Sequence, residues 1–191
     1  MKKIVALMLC LALMISGAAL AENAEKTTLG TLDVNGVFTI QCSMPEGYQV
    51  SILSADSTNI YAKIASDDPA KAQVTLSIAF NELFTLEDGT AQRLNDVDEE
   101  GLQEIRDSFL ENLMEVDIQD GETAFGTKVL IVKGKLDDGK SIVDVYSVFK
   151  SYEVEAVAYM GEGADDGLLT DAQVQMIIDL FSSMDFVEVG A

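Results

Sequence analysis

The sequence predicts an α+β domain in which an antiparallel β-sheet is covered by helices. Three observations predict it. Several segments alternate apolar and polar residues with a period of two. Two segments, near residues 98–113 and 170–184, repeat apolar residues at helical spacing. An Asp138-Gly139 pair stands between two apolar runs, where a hairpin turns.

Residues 1–21 read as a signal peptide. Lys2 and Lys3 precede "IVALMLCLALMI", and "SGAALA" places Ala19 and Ala21 at the A-x-A positions, so cleavage is expected after Ala21. The apolar run is shorter than the ~20 residues of a spanning helix. Leu9 precedes Cys10 where lipidation needs a small residue. The expected product is secreted, periplasmic or extracellular, with no integral membrane segment.

Residues 22–35 form a polar lead-in, expected to be mobile, with a weak strand near Leu32. A single domain follows over 36–191. In "VFTIQCSM", Phe38, Ile40, Cys42 and Met44 alternate with polar neighbours. "MPEG" turns the chain, with Pro45 second and Gly47 fourth in a type I turn, and Tyr48, Val50 and Ile52 mark a return strand. "NIYAKIA" and "QVTLSIAF" are two further half-buried strands. Leu102, Ile105, Phe109 and Leu113 then give a helical stripe. A short strand near Val116 and Ile118 and a loop, "DGETAFG", follow.

The hairpin "KVLIVKGKL"–"DDGK"–"SIVDVYSVFK" is expected to turn on Asp138 and Gly139 alone. That register sets Lys133 opposite Asp144, Asp137 opposite Lys140 and Ile131 opposite Tyr146. Both strands are apolar on both sides, which predicts a central position covered on both faces. "YEVEAVAYM" is one more strand. Thr170 and Gln173 form a capping box for the last helix, and "MDFVEV" closes with a short strand.

Composition narrows the chemistry. The leader holds two of the 12 basic residues and none of the 33 acids, so the remainder carries −23. Such a field repels nucleic acid and anionic membranes and favours cations and basic partners. The chain has no His, which excludes His-based catalytic triads and removes the commonest zinc ligand. Cys42 is the one cysteine beyond the leader, so no intrachain disulfide can form there. No glycine-rich phosphate loop is present. Any catalysis would rest on carboxylates, Lys or Tyr, or on a metal held by oxygen.

"FTIQCSMPEGYQV" and "IIDLFSSMDF" resemble the opening strand-turn and closing helix of the PsbP-like family of exported proteins, which shares its fold with the Ran-binding Mog proteins. Phe38, Pro45, Gly47 and Tyr48 carry the first match, Ser183 and Phe186 the second. The resemblance spans residues 37 to 188 and implies an α/β/α sandwich, a sheet between helices. It also implies members that bind or assemble, and no catalytic residue is carried over.

Two sites are candidates. Asp96, Asp98, Glu100, Glu104 and Asp107 match calcium-loop positions in a twelve-residue window with Gly101 at the sixth. The competing reading makes Asp98 a helix N-cap, with Glu99 and Glu100 on the positive end of the dipole. Five of the ten basic residues beyond the leader lie within 128–150, namely Lys128, Lys133, Lys135, Lys140 and Lys150. Lys133, Lys135, Lys140 and Asp144 are the candidate partner-binding set. The competing reading is solvated hairpin lysines paired across strands. Cys42 reads as a buried, inert thiol or as a pairing thiol in a dimer. "GEGADDG", 161–167, reads as a loop, with a cation site as the other reading. The function expected is an exported, non-catalytic binding or assembly module for a protein or envelope component. The alternatives are a calcium-dependent domain using 96–107 or a carboxylate-based hydrolase.

Overall fold

The computed structural model describes residues 26–27, 31–68, 70–161 and 167–189. The leader, its cleavage site and most of the 161–167 loop lie outside the described residues. In chain order the strands are β1 (Lys26–Thr27), β2 (Thr31–Val34), β3 (Phe38–Gln41), β4 (Tyr48–Ala55), β5 (Asn59–Ser66) and β6 (Ala72–Phe80). After helix α1 (Glu99–Asn112) come β7 (Met114–Glu122), β8 (Lys128–Lys135), β9 (Ser141–Phe149) and β10 (Tyr152–Met160). Helix α2 (Asp171–Ser182) and β11 (Asp185–Glu188) end the chain.

The large sheet is antiparallel with strand order β1-β4-β5-β6-β10-β9-β8-β7. It is two meanders laid side by side. After β6 the chain leaves through α1 to the far edge, starts again at β7, and winds back until β10 closes against β6. That seam pairs nine residues, from Tyr152↔Phe80 to Met160↔Ala72. A second sheet, β11-β3-β2, packs on one face together with α2.

The expected sandwich of a sheet between helix layers is therefore wrong. The described residues hold two α-helices against eleven strands, and the fold is mostly β, with 48% strand and 21% helix. The physical cause lies in residues 42–47. They do not close a hairpin but carry the chain from the small sheet to the large one. Tyr48 N–H donates to Pro45 O (3.1 Å), so Pro45 is first in the turn rather than second, and Gly47 takes φ +78°, the left-handed region. Ser43 N–H is tied to Ser183 Oγ (2.9 Å) at the end of α2. β3 thus pairs with β2 and β11 and never with β4. The lead-in expected to be mobile contributes β1 and β2.

Each face has its own core. On one, Phe38 is fully buried and sits edge-on to Phe149 (5.0 Å) and Tyr152 (5.6 Å), with Phe186 beside them. Ile177, Leu180 and Phe181 of α2 complete it. On the other, Leu102, Ile105 and Phe109 of α1 cover Leu130, Val132, Tyr146 and Val148. Strand β9 is buried on both sides, as its two-sided apolar pattern predicts, whereas β8, next to the edge strand β7, is only half-buried at Ile131, Lys133 and Lys135 on one side. The Thr170–Gln173 capping box is present.

The β8–β9 hairpin departs from expectation by one residue. Leu136 N–H donates to Lys140 O (2.9 Å), leaving a three-residue loop, Asp137-Asp138-Gly139, with Gly139 at φ +83°. Lys133 therefore faces Val143, Ile131 faces Val145, and Asp144 faces Val132. Lys140 pairs with Asp138 (2.6 Å), not Asp137. Because side chains alternate, a one-residue slip moves every partner to the other face. Asp144 leaves the lysine side altogether.

Phe38→Ala should lower stability by about 3–5 kcal/mol, since it empties the centre of the larger core. Equilibrium urea unfolding checks this, and a loss under ~1 kcal/mol would show that the aromatic cluster collapses without cost.

Candidate functional site

Three acids and a phenol meet on the α1 side of the large sheet. Asp144 and Tyr146 come from β9, and Glu153 and Glu155 from β10. Glu155 lies opposite Tyr146, and Glu153 opposite Val148. Asp144 is diagonal to Glu155, within reach across adjacent strands. The four side chains are buried, with Asp144 at 1% and Glu155 at 2% exposure.

The hairpin that holds them is fixed at its tip. β9 and β10 turn on Lys150 and Ser151, both left-handed at φ +54° and +63°. Such a conformation costs a non-glycine residue about 1–3 kcal/mol and persists only where its surroundings over-determine it. Here they do. Ser151 Oγ accepts from Thr85 Oγ1 (2.8 Å) and donates to Phe84 O (2.6 Å). Ser151 O accepts from Asn81 N–H (2.8 Å), and Ser151 N–H donates to Gln92 O (3.0 Å).

The cluster is half satisfied. Glu153 Oε1 accepts from the Tyr146 hydroxyl (2.8 Å), and Oε2 from Asn81 Nδ2 (3.0 Å). Asp144 Oδ1 and Glu155 Oε2 accept nothing from the described residues. Burial pushes all three carboxyls up, Asp144 to about 8. For Glu155 the neighbouring Asp144 and Glu153 add to burial. For Glu153 the two hydrogen bonds act against it. Burial, then the Glu153 carboxylate, raises the Tyr146 phenol well above its usual range.

The candidate lysines lie elsewhere. Lys133 and Lys135 line a shallow groove of about 190 Å³ with Glu115, Ser141, Ile142, Val143, Leu169 and Val174. Lys135 is paired with Glu115. Among the described residues Lys133 has no ion-pair partner. Asp117 opposite it is engaged by Gln119 Nε2 (2.8 Å). Lys140 sits beside Gly167 near the groove's rim. Asp144, expected among the partner-binding residues, is buried on the opposite face and cannot join them.

The acidic stretch 96–107 starts a helix. Asp98 Oδ1 accepts from Gly101 N–H (2.9 Å) as the N-cap, with Glu99 and Glu100 in the first turn. Asp96 Oδ2 accepts from Arg93 N–H (2.9 Å). Glu104 and Asp107 lie within α1, and Asp107 is bonded to Gln103. No group of three or more acids or cysteines among the described residues is placed to hold a metal ion. Cys42 is a half-buried free thiol, its pKa raised by burial.

Sequence reasoning missed the Glu153–Glu155 pair. Alternating acids on a strand read as a solvated face. The available signal was β9 beside it, apolar on both sides, because a strand covered on both faces has covered neighbours. No family model, curated protein or solved structure matches the chain. No helix among the described residues is long and apolar enough to cross a membrane.

Tyr146→Phe should destabilise the protein by about 1–3 kcal/mol, by leaving a buried Glu153 oxygen without its donor. Urea unfolding of the two proteins measures it, and an unchanged midpoint would mean the bond contributes nothing. Asp98→Ala should cost about 1 kcal/mol as a lost cap. The loss should be equal in EDTA and in calcium. A calcium-dependent stabilisation of the parent that vanishes in the variant would instead make 96–107 a metal site.

Proposed function

We propose that the chain is an exported, non-catalytic binding or assembly module for a protein or envelope component, and that it makes contact through the groove beside Lys133. The observation that carries this is a half-buried lysine, Lys133, without an ion-pair partner among the described residues, lining a groove with Ile142, Val143, Leu169 and Val174. An apolar floor beside Lys133, with Lys135 already paired to Glu115, selects a segment that presents an apolar side chain next to a carboxylate. A carboxylate hydrolase would draw on Asp144, Glu153 and Glu155. Their side chains are buried on the face away from Val143 and Lys133, which favours binding over hydrolysis.

Selection from a displayed random-peptide library is the direct test. Recovered peptides should combine Asp or Glu with one or two large apolar residues. Lys133→Glu should weaken them about tenfold or more, the effect of ~1.4 kcal/mol. Peptides that bind the variant as well as the parent protein would place the contact surface elsewhere.

A further inference from the structure

We propose that Asp144 and Glu155 form a proton-binding pair, at least one of whose carboxyls stays protonated at neutral pH, and that the β9–β10 face is held together by that proton. The geometry leads to this. The two side chains stand diagonally on adjacent central strands, 1% and 2% exposed, and each has an oxygen that accepts no bond from the described residues. Two bare carboxylates at that spacing in a buried site would each lack a counter-charge. Burial of an unpaired charge is avoided by neutralising it.

The surroundings offer the proton no substitute. β8 presents Leu130 and Val132 to the pair, its Lys128 lying four residues along the strand from Val132, roughly 13 Å away, and β6 presents Ser77 and Thr75. α1 presents Leu102, Ile105 and Phe109 to this side of the sheet, while its Arg106 is engaged by Glu99 and Asp120. On this face of β9 and β10 the other titratable groups are Tyr146 and Glu153, already bonded to each other, and Tyr159, bonded to Thr75, while Tyr152 packs in the opposite core. β5 adds Tyr61 and Lys63. Lys63 lies in the Asp144 row across Thr75 and Val157, three strand spacings or roughly 14 Å away.

The consequence has a definite sign. A carboxyl whose folded pKa is raised binds more protons folded than unfolded between the two values. Stability is therefore greatest in acid and falls as pH rises through that window. For Asp144 the window runs from 3.8 to about 8. Surface carboxylates of a chain at −21 also repel one another as pH rises. That contribution is removed in ~1 M salt, where screening acts over about 3 Å.

The experiment compares the parent protein with Asp144→Asn/Glu155→Gln by urea unfolding in ~1 M sodium chloride, between about pH 5 and about pH 9. The parent midpoint should fall across that range. The amide variant, left with Glu153 alone of the buried acids, should fall less steeply and exceed the parent at the alkaline end. Infrared spectra of the folded parent and of Glu153→Gln in deuterated buffer near neutral pH should both contain the carbonyl stretch of a protonated carboxyl, which assigns the proton to the pair even if the double variant does not fold. A variant that loses stability with pH as steeply as the parent overturns the proposal. So does a neutral-pH spectrum with no protonated carboxyl.

Discussion

Everything in this molecule hangs on the pairing of β10 with β6. Each meander is built from local hairpins, yet neither makes a two-faced core by itself. The nine-residue seam turns two narrow sheets into one wide wall, and both hydrophobic cores use that wall as a shared surface. It also sets β10 between β6 and β9, so that side chains which would be solvated on an edge strand are enclosed. The buried acids are a consequence of strand order.

The hairpin loop acts on the same acids from the other side. One additional residue at the tip, Asp137, puts Asp144 opposite Val132, on the α1 side, instead of opposite Lys133. A surface ion pair of small energetic weight is exchanged for a buried titratable group of large weight. The groove and the carboxyl cluster, on opposite faces of β8 and β9, thus share one origin. The register that frees Lys133 from Asp144 is the register that buries Asp144.

The parts of the fold visible in the sequence are those governed by local rules. Alternation marks β5 and β6 and picks out Ile60, Ala62 and Ile64, then Val74, Leu76 and Ile78, as buried, though Phe80, in the same alternating set, is exposed. Asp98 and Thr170 mark the helix starts because a cap bonds to an amide only three residues away. What is not visible depends on partners distant in sequence. β3 has a strand pattern whichever strand it pairs with, so its place in a second sheet cannot be read from Phe38 and Ile40. Asp-Gly fits both a two-residue and a three-residue loop, and the choice decides the register. Glu153 and Glu155 look solvated until β9 and β6 are known to flank them.

The seam has a cost in time. Its two strands are separated by the whole excursion through α1 and the β7–β9 meander, so it closes late, after local hairpins have formed. Until then β6 and β10 are open edges, rich in Val, Ile and Ala on one side, and open apolar edges invite pairing between chains. The strong negative charge of the chain acts in that interval, because two such molecules repel before their edges can meet. The acidity that does little for the finished core guards the unfinished one against aggregation.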